Sequence, residues 1–203
     1  MCLVGGFYSV TAAEIVSLIP MNHFPLTTER ITLRPITIAD LDVIHNLHSL
    51  PETDAYNALG IPENIGVTKA IITPWTADNQ QENITNHTLA MVRSEDQKFI
   101  GLYGLKIGSP KYQRAEIWYK IHRDYWNNGY ATEATQCILD FCFDTLHLHR
   151  VAAGCAVENI GSYKVLEKVG MTREGRCRQI LPLSTGWADN YKYAILESDP
   201  RNR

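Results

Sequence analysis

The sequence predicts an α/β protein of the α+β kind, with a mixed central sheet of about seven strands flanked by about four helices. Three observations lead there. Between Thr88 and Ile121, three segments of strand length are separated by turn-like residues, the pattern of an antiparallel meander. After Ile121 the period changes from two to that of a helix. Ala131, Ala134, Cys137, Ile138, Phe141 and Cys142 fall on one face, and Thr132, Glu133, Gln136 and Asp140 on the other. The apolar run Arg150–Val157 then has strand length and leads into a second helical pattern.

Composition bounds the rest. The 203 residues fit one domain, and 45% hydrophobic with 20% charged residues suffices to bury a core, which excludes a disordered, collagen-like or low-complexity chain. A formal charge of −3 argues against a nucleic-acid-binding domain and tolerates a cationic substrate. Cys2, Cys137, Cys142, Cys155 and Cys177 form an odd count without a CxxC pair. Neither a disulfide framework nor a zinc knuckle is therefore expected, and a reducing, cytoplasmic location is. The longest apolar stretches fall far short of a membrane span. Residues 1–25 read as an N-terminal extension that need not be ordered: Met1–Pro20 is apolar yet lacks the Lys or Arg of a secretory signal, and Met21 directly precedes a strong domain start. A single domain is expected over 26–197 and a polar tail over 198–203.

Taken in order, Arg30–Ile36 alternates as a half-buried strand does. Thr37 and Asp40 form a capping-box pattern that opens a helix, on which Leu41, Ile44, Leu47 and His48 share a face; His45 and His48 are assigned to its surface. From Pro51 to Asn86, Gly60, Pro62, Gly66 and Pro74 interrupt any long periodicity, which predicts loops with one or two short helical pieces. Thr88–Arg93, Lys98–Ile107 and Arg114–Ile121 are the meander strands. After the long helix comes the strand Arg150–Val157. Asn159 caps the next helix, Val165, Leu166 and Val169 supply its buried face, and Gly170 closes it. Two last strands are expected near Thr172–Ile180 and Tyr191–Glu197.

The segment richest in chemical content is Tyr125–Glu133, YWNNGYATE, between a strand and a helix. A tight turn in which Gly129 removes a side chain, followed at once by a helix start, aims backbone N–H groups and the positive end of the helix dipole at one point, which suits an anion. It is neither a dinucleotide fingerprint nor a P-loop, since GxGxxG is absent and no GK[ST] follows.

With this turn after the fourth strand and Asn159-x-x-Ser162 opening the helix after the fifth, the chain resembles the GNAT N-acetyltransferase superfamily. Within it, the chain is similar to the branch named after the RimJ and RimL ribosomal-protein acetyltransferases. The stretches that carry the resemblance are Leu26–Pro35 (LTTERITLRP), Ala115–Tyr119 (AEIWY), Tyr125–Ala134 (YWNNGYATEA), His149–Arg150, Asn159–Met171 (NIGSYKVLEKVGM) with Glu174–Gly175, and GWADNYKYAIL from Gly186. The resemblance implies a GNAT fold splayed between the fourth and fifth strands, acetyl-CoA as co-substrate and no metal. It implies that the pantetheine arm pairs with the backbone of Tyr119, Lys120 and Ile121 as an added strand would. The pyrophosphate would sit on the amides of Asn127, Asn128, Gly129, Tyr130, Ala131 and Thr132, with Asn159 also at the co-substrate. Relatives often begin this turn with Gln or Arg and add a further basic residue, whereas Trp126, Asn127 and Asn128 stand here. Phosphate binding would then lean on Arg123, Lys164 or Lys168, each also readable as a solvated surface charge.

The implied chemistry is direct attack of a neutral primary amine on the thioester, without a covalent enzyme intermediate. Some relatives protonate the departing thiolate with a Tyr seven residues after the helix-opening Asn, and some carry a basic Glu five residues before it; here those places hold Leu166 and Gly154, so neither role carries over. Ser162 stands where the RimL-like branch places a Ser whose hydroxyl donates to the sulfur, and is also readable as a small packing residue. Glu116, on the strand flanking the gap, is the candidate base, acting through a water; an exposed strand carboxylate, or one holding the substrate amine, is the alternative. Glu158 and Glu167 are weaker candidates. His147 and His149 lack a third ligand nearby in sequence, so no metal site is expected. The acceptor is expected to be the N-terminal α-amine of a protein or peptide, with a polyamine, an amino acid analogue or an antibiotic as alternatives. No nucleic-acid or membrane partner is expected, and a homodimer is compatible with the family. The reading from another class is a non-catalytic acetyl-CoA-binding module.

Overall fold

The computed structural model describes residues 23–81 and 85–201. The described strands are β1 (Leu26–Thr27), β2 (Ile31–Pro35), β3 (Asn86–Arg93), β4 (Phe99–Ile107), β5 (Arg114–Ile121), β6 (Arg150–Ala156), β7 (Thr172–Leu183) and β8 (Gly186–Leu196). They form one eight-stranded sheet in the order β1-β2-β3-β4-β5-β6-β8-β7. The described helices are α1 (Leu41–His48), α2 (Pro51–Asp54), α3 (Ile65–Asp78), α4 (Tyr130–Asp140) and α5 (Ile160–Lys168). This is the GNAT arrangement expected from the sequence, with β1 as the additional strand; its two residues are too few to display a period of two.

Alternation along the central strands divides the apolar side chains between the two faces of the sheet. Leu89 and Met91 of β3, Tyr103 and Leu105 of β4 and Ile117 of β5 join Ala134 and Ile138 of α4 in the larger core. Ala90 and Val92 of β3 and Leu102 of β4 face the other way, onto Ile44 and Leu47 of α1 and Ile72 of α3. Each of these aliphatic side chains contributes on the order of 2 kcal/mol by leaving water. His48 belongs to this second face, not to the helix surface, and is only 1% exposed.

Two stretches depart from the periodicity reading. Past Asp140 the chain widens into a π turn, Phe141–Thr145, in which Phe141, Cys142 and Phe143 are all buried. Three consecutive buried side chains do not fit one face of an α-helix, and the wider turn accommodates them. In the region expected to hold only short pieces, α3 runs for 14 residues with Pro74 inside it. Its start is fixed by Asn64, whose side chain accepts from Val67 N–H at 3.2 Å, and the burial of Thr68 and Ile72 outweighs the interruption at Pro74.

Residues 1–22 of the expected extension lie outside the described residues. Of its last three, His23 and Phe24 are packed: the Phe24 ring lies 5.1 Å from His87 and 5.5 Å from Phe141, and the His23 ring 5.7 Å from Phe141. At the other end, Arg201 of the polar tail donates to Asp140 at 2.8 Å and to Asp144 at 2.8 and 2.9 Å, while residues 202–203 lie outside the described residues.

The decisive feature is the one parallel pair. β5 and β6 are in register from Arg114 opposite Arg150 to Ile117 opposite Ala153, and then separate. Beyond that point Trp118–Ile121 remain paired with β4, and Gly154–Ala156 remain paired with β8. Each strand keeps its outer neighbour and loses its inner one, so the sheet opens into a cleft whose walls carry unpaired backbone.

Candidate active site

The cleft encloses about 830 Å³. Tyr119, Lys120 and Ile121 line it from β5, Gly154 and Cys155 from β6, and Asn159, Ser162, Lys164 and Lys168 from the α5 segment. One end is the turn before α4. There Asn127 has φ 60° and Gly129 has φ 83°, both in the left-handed region. The first backward hydrogen bond of α4 runs from Glu133 N–H to Gly129 C=O at 3.0 Å, which leaves the amides of Tyr130, Ala131 and Thr132 without a helical acceptor. These amides and the helix dipole fit a phosphate group.

The turn is braced from outside. Trp126 Nε1 donates to Ile121 C=O at 2.8 Å, and Asn128 Nδ2 donates to Trp126 C=O at 2.9 Å. The Arg30 guanidinium donates to Asn128 C=O at 3.1 Å and to Glu133 at 2.7 Å, and lies 5.0 Å from the Tyr130 ring centre. Glu133 also accepts from Thr28 at 2.5 Å. Of the residues expected at the phosphates, Asn127, Gly129, Ala131 and Thr132 line the cleft; Asn128 and Tyr130 do not, because they serve this brace. Lys164 and Lys168 line the cleft, whereas Arg123 pairs with Glu52.

Ser162 lines the cleft from α5. Asn159 Oδ1 accepts from Ser162 N–H at 3.1 Å and holds the first turn of α5. The Tyr119 hydroxyl donates to Ser162 C=O at 3.0 Å and lies 3.0 Å from Ser162 Oγ. Tyr119 was expected here for its backbone, and the structure adds its hydroxyl. Burial raises the Tyr119 phenol above its ordinary range against a hydrogen bond from Ser162. Burial also pushes the Cys155 thiol up to about 11, again opposed by Ser162. All three groups therefore hold their protons at neutral pH, an arrangement of donors without a nucleophile.

Glu116 stands elsewhere. At its position β5 and β6 are still paired, with Ala152 opposite, and the gap opens only from Trp118 onward. Glu116 is exposed and is not among the cleft-lining residues. Glu158 does line the cleft, while Glu167 accepts from the Tyr193 hydroxyl at 2.9 Å. His149 faces Glu197 at 3.1 Å, and no group of three metal-ligating side chains occurs among the described residues. No helix among them is long and apolar enough to cross a membrane.

The remaining wall comes from residues that periodicity did not single out: Glu52, Thr53, Tyr56 and Asn57 after α1, and Trp118 on β5. The Trp118 indole lies against Gly104 of β4, where a Cβ would come within 1.9 Å of its Nε1, and its ring centre is 5.9 Å from that of Trp75. Lys120, on the same face, is 8% exposed. Burial depresses its amine to about 8, partly offset by the charge of Asp54. Burial likewise lowers His48 to about 4, with the charges of Lys120 and His45 adding to it. The available sequence signals were a pair of glycines in the strand GLYGL, which marks a close approach, and a lysine inside the run IWYKI.

Comparison with known proteins agrees with this geometry. The family described as acetyltransferase (GNAT) domain matches residues 30–172. The chain is 32% identical to the uncharacterized N-acetyltransferase YnaD of Bacillus subtilis (strain 168), over 86% of this chain and 98% of that protein. Among solved structures, spermidine N-acetyltransferase from Vibrio cholerae in complex with CoA and spermine is similar at a TM-score of 0.73, with 23% identity over 84% of this chain and 98% of that one. Mycobacterium smegmatis RimJ in complex with CoA-disulfide also gives 0.73, with 22% identity over 82% of this chain and 81% of that one.

Proposed function

The chain belongs to the GNAT acetyltransferase family and is an acetyl-CoA-dependent N-acetyltransferase, and from that premise we propose that its acceptor is the N-terminal α-amine of a protein or peptide. The observation that carries this reading is the shortage of carboxylate base at the cleft. The lining carboxylates are Glu52, which pairs with Arg123, and the exposed Glu158. An α-amine of pKa ~7.8 is about 14% neutral at pH 7, whereas a lysine amine of pKa ~10.4 is about 0.04% neutral, a gap of ~3.5 kcal/mol that a site must otherwise supply. A cleft whose lining carboxylates are paired or exposed suits the α-amine, which is already partly neutral. The second reading, a polyamine, is favoured by the acidic character of Glu52 and Glu158 at the cleft.

Acetyl-CoA brings the activated acyl group as a thioester, whose departing thiolate is a tolerable leaving group at a thiol pKa of ~8.5. In this reading the amides of Asn127, Gly129, Ala131 and Thr132 receive the phosphates, with Lys164 and Lys168 alongside. The free backbone edge at Tyr119 and Lys120 orients the pantetheine arm. Ser162 Oγ donates to the departing sulfur, and the Tyr119 hydroxyl beside it keeps that donor oriented. Holding both reactants in the cleft provides much of the rate.

The test is competitive. A peptide carrying both a free N-terminus and an internal lysine is offered beside polyamines and free amino acids, and the acetyl group is located by mass spectrometry. The α-nitrogen of the peptide is expected to carry it; modification confined to the lysine side chain or to polyamines would reject the α-amine reading.

A further inference from the structure

His48 Nδ1, Glu52 Oε2, Asp54 Oδ1 and Lys120 Nζ are buried and have no hydrogen-bond partner among the described residues. Three of them are linked: the charge of Asp54 acts on Lys120, and that of Lys120 on His48; Lys120 and Glu52 both line the cleft. Lys120 is 8% exposed and Asp54 4%, so neither reaches bulk water freely. A buried amine with no hydrogen bond leaves a desolvation penalty uncompensated, and such groups in native proteins call for a function or a ligand.

We propose that Lys120 is the proton acceptor of the reaction, its neutral Nζ taking a proton from the acceptor nitrogen, directly or through one water, as the C–N bond forms. This rests on the amine-acetyltransferase reading and adds the base that Glu116 is not placed to provide. The alternative task for a lysine, holding an anionic part of the acceptor, is opposed by the Asp54 carboxylate, whose charge already acts on Lys120 and which repels an anion. Charged and titratable groups around Lys120 are Asp54 from α2, which favours the protonated form, and His48 from α1, which burial keeps neutral. At the rim Glu52 and Arg123 neutralise one another. With its value lowered by burial to about 8, Lys120 is partly neutral near pH 7 and can accept the proton that the nitrogen loses as it bonds to carbon.

The step balances. A neutral amine and a thioester become an amide and a thiol. The nitrogen lone pair bonds to the carbonyl carbon, and the C–S bond breaks with its electron pair on sulfur. The one proton that nitrogen loses passes to Lys120 Nζ, sulfur takes a proton from the Ser162 hydroxyl, and the two side chains return to their starting states by exchanging one proton through solvent as the products leave.

Two variants of the full chain separate the tasks of a lysine. Lys120→Arg keeps the charge and cannot accept a proton; Lys120→Met keeps the length and has neither. Both are expected to lower kcat by about 100-fold with acetyl-CoA affinity within about threefold of the parent, the readout of an intact fold. In the parent itself, kcat/KM for 2,2,2-trifluoroethylamine, an amine neutral across the assay range, is expected to rise with pH and break near 8. That break is absent in Lys120→Arg. An arginine variant of near-parental activity, or a parent profile without the break, overturns the proposal. A parent that binds acetyl-CoA and acetylates no amine overturns the transferase reading together with it. A parent that prefers lysine side chains but loses activity in Lys120→Arg rejects only the α-amine acceptor and supports the base.

Discussion

Ser162 Oγ, 3.0 Å from the Tyr119 hydroxyl, is the proposed donor to the departing sulfur. A donor that acts on developing charge at sulfur lowers the barrier without changing ground-state binding, so Ser162→Ala is expected to reduce kcat by roughly 10²-fold with acetyl-CoA affinity unchanged. Single-turnover rates check it, and a rate within about twofold of the parent would make Ser162 a packing residue. Its position was legible because Asn159 and Ser162 are three residues apart, and capping fixes that geometry locally. Glu116 was misplaced for the opposite reason. Which residue of a strand flanks a gap depends on where two strands distant in sequence stop pairing, and that point lies after Ile117.

The turn between β5 and α4 is proposed to bind through its backbone, so its conformation matters more than its side chains. Gly129 has φ 83° and ψ 0°, a conformation that a β-branched residue adopts only at a cost of about 1–2 kcal/mol or more. A Cβ there would also come to 3.4 Å from the Arg30 guanidinium that braces the turn. Gly129→Val is therefore expected to raise the Kd for acetyl-CoA at least tenfold, ~1.4 kcal/mol. Isothermal titration, with circular dichroism to show the fold intact, measures this directly; unchanged affinity would remove the phosphate-binding role. The glycine followed by a helical period made this element readable in sequence. By contrast α3 was not, since Gly66 and Pro74 count as breakers locally, and only packing of Thr68 and Ile72 against the sheet overrides them.

Acid sensitivity belongs to the packed assembly. Burial lowers both His48 and His87 from 6.5 to about 4. Above pH 6.5 both are neutral folded or unfolded and stability is unaffected; below it the unfolded chain takes up protons that the folded chain refuses, so stability falls as pH drops from 6.5 toward 4. The shift corresponds to about 3 kcal/mol per histidine. Burial pushes the Asp40 carboxyl up, but hydrogen bonds from Arg34 and Thr37 overrule it and leave it below its ordinary value, so its protonation adds a further loss at lower pH. The melting temperature is expected to be level from about pH 8 to 6.5 and then to fall, and His87→Leu is expected to shrink the loss down to pH 4.5 by about half. A melting temperature independent of pH over that interval would contradict the buried-histidine assignment. Periodicity, caps and the glycine turn are local, set by neighbours within a few residues, and through them the sequence alone determined the order of the elements, the family and the glycine turn at one end of the cleft. Burial is a property of the assembled sheet and helices. Only the tertiary structure decided where β5 and β6 part, that Asn128 and Tyr130 brace the turn, and that Lys120 of β5 is enclosed near Asp54 and His48, because those residues lie dozens of positions apart in sequence and meet only when the two faces of the sheet are covered.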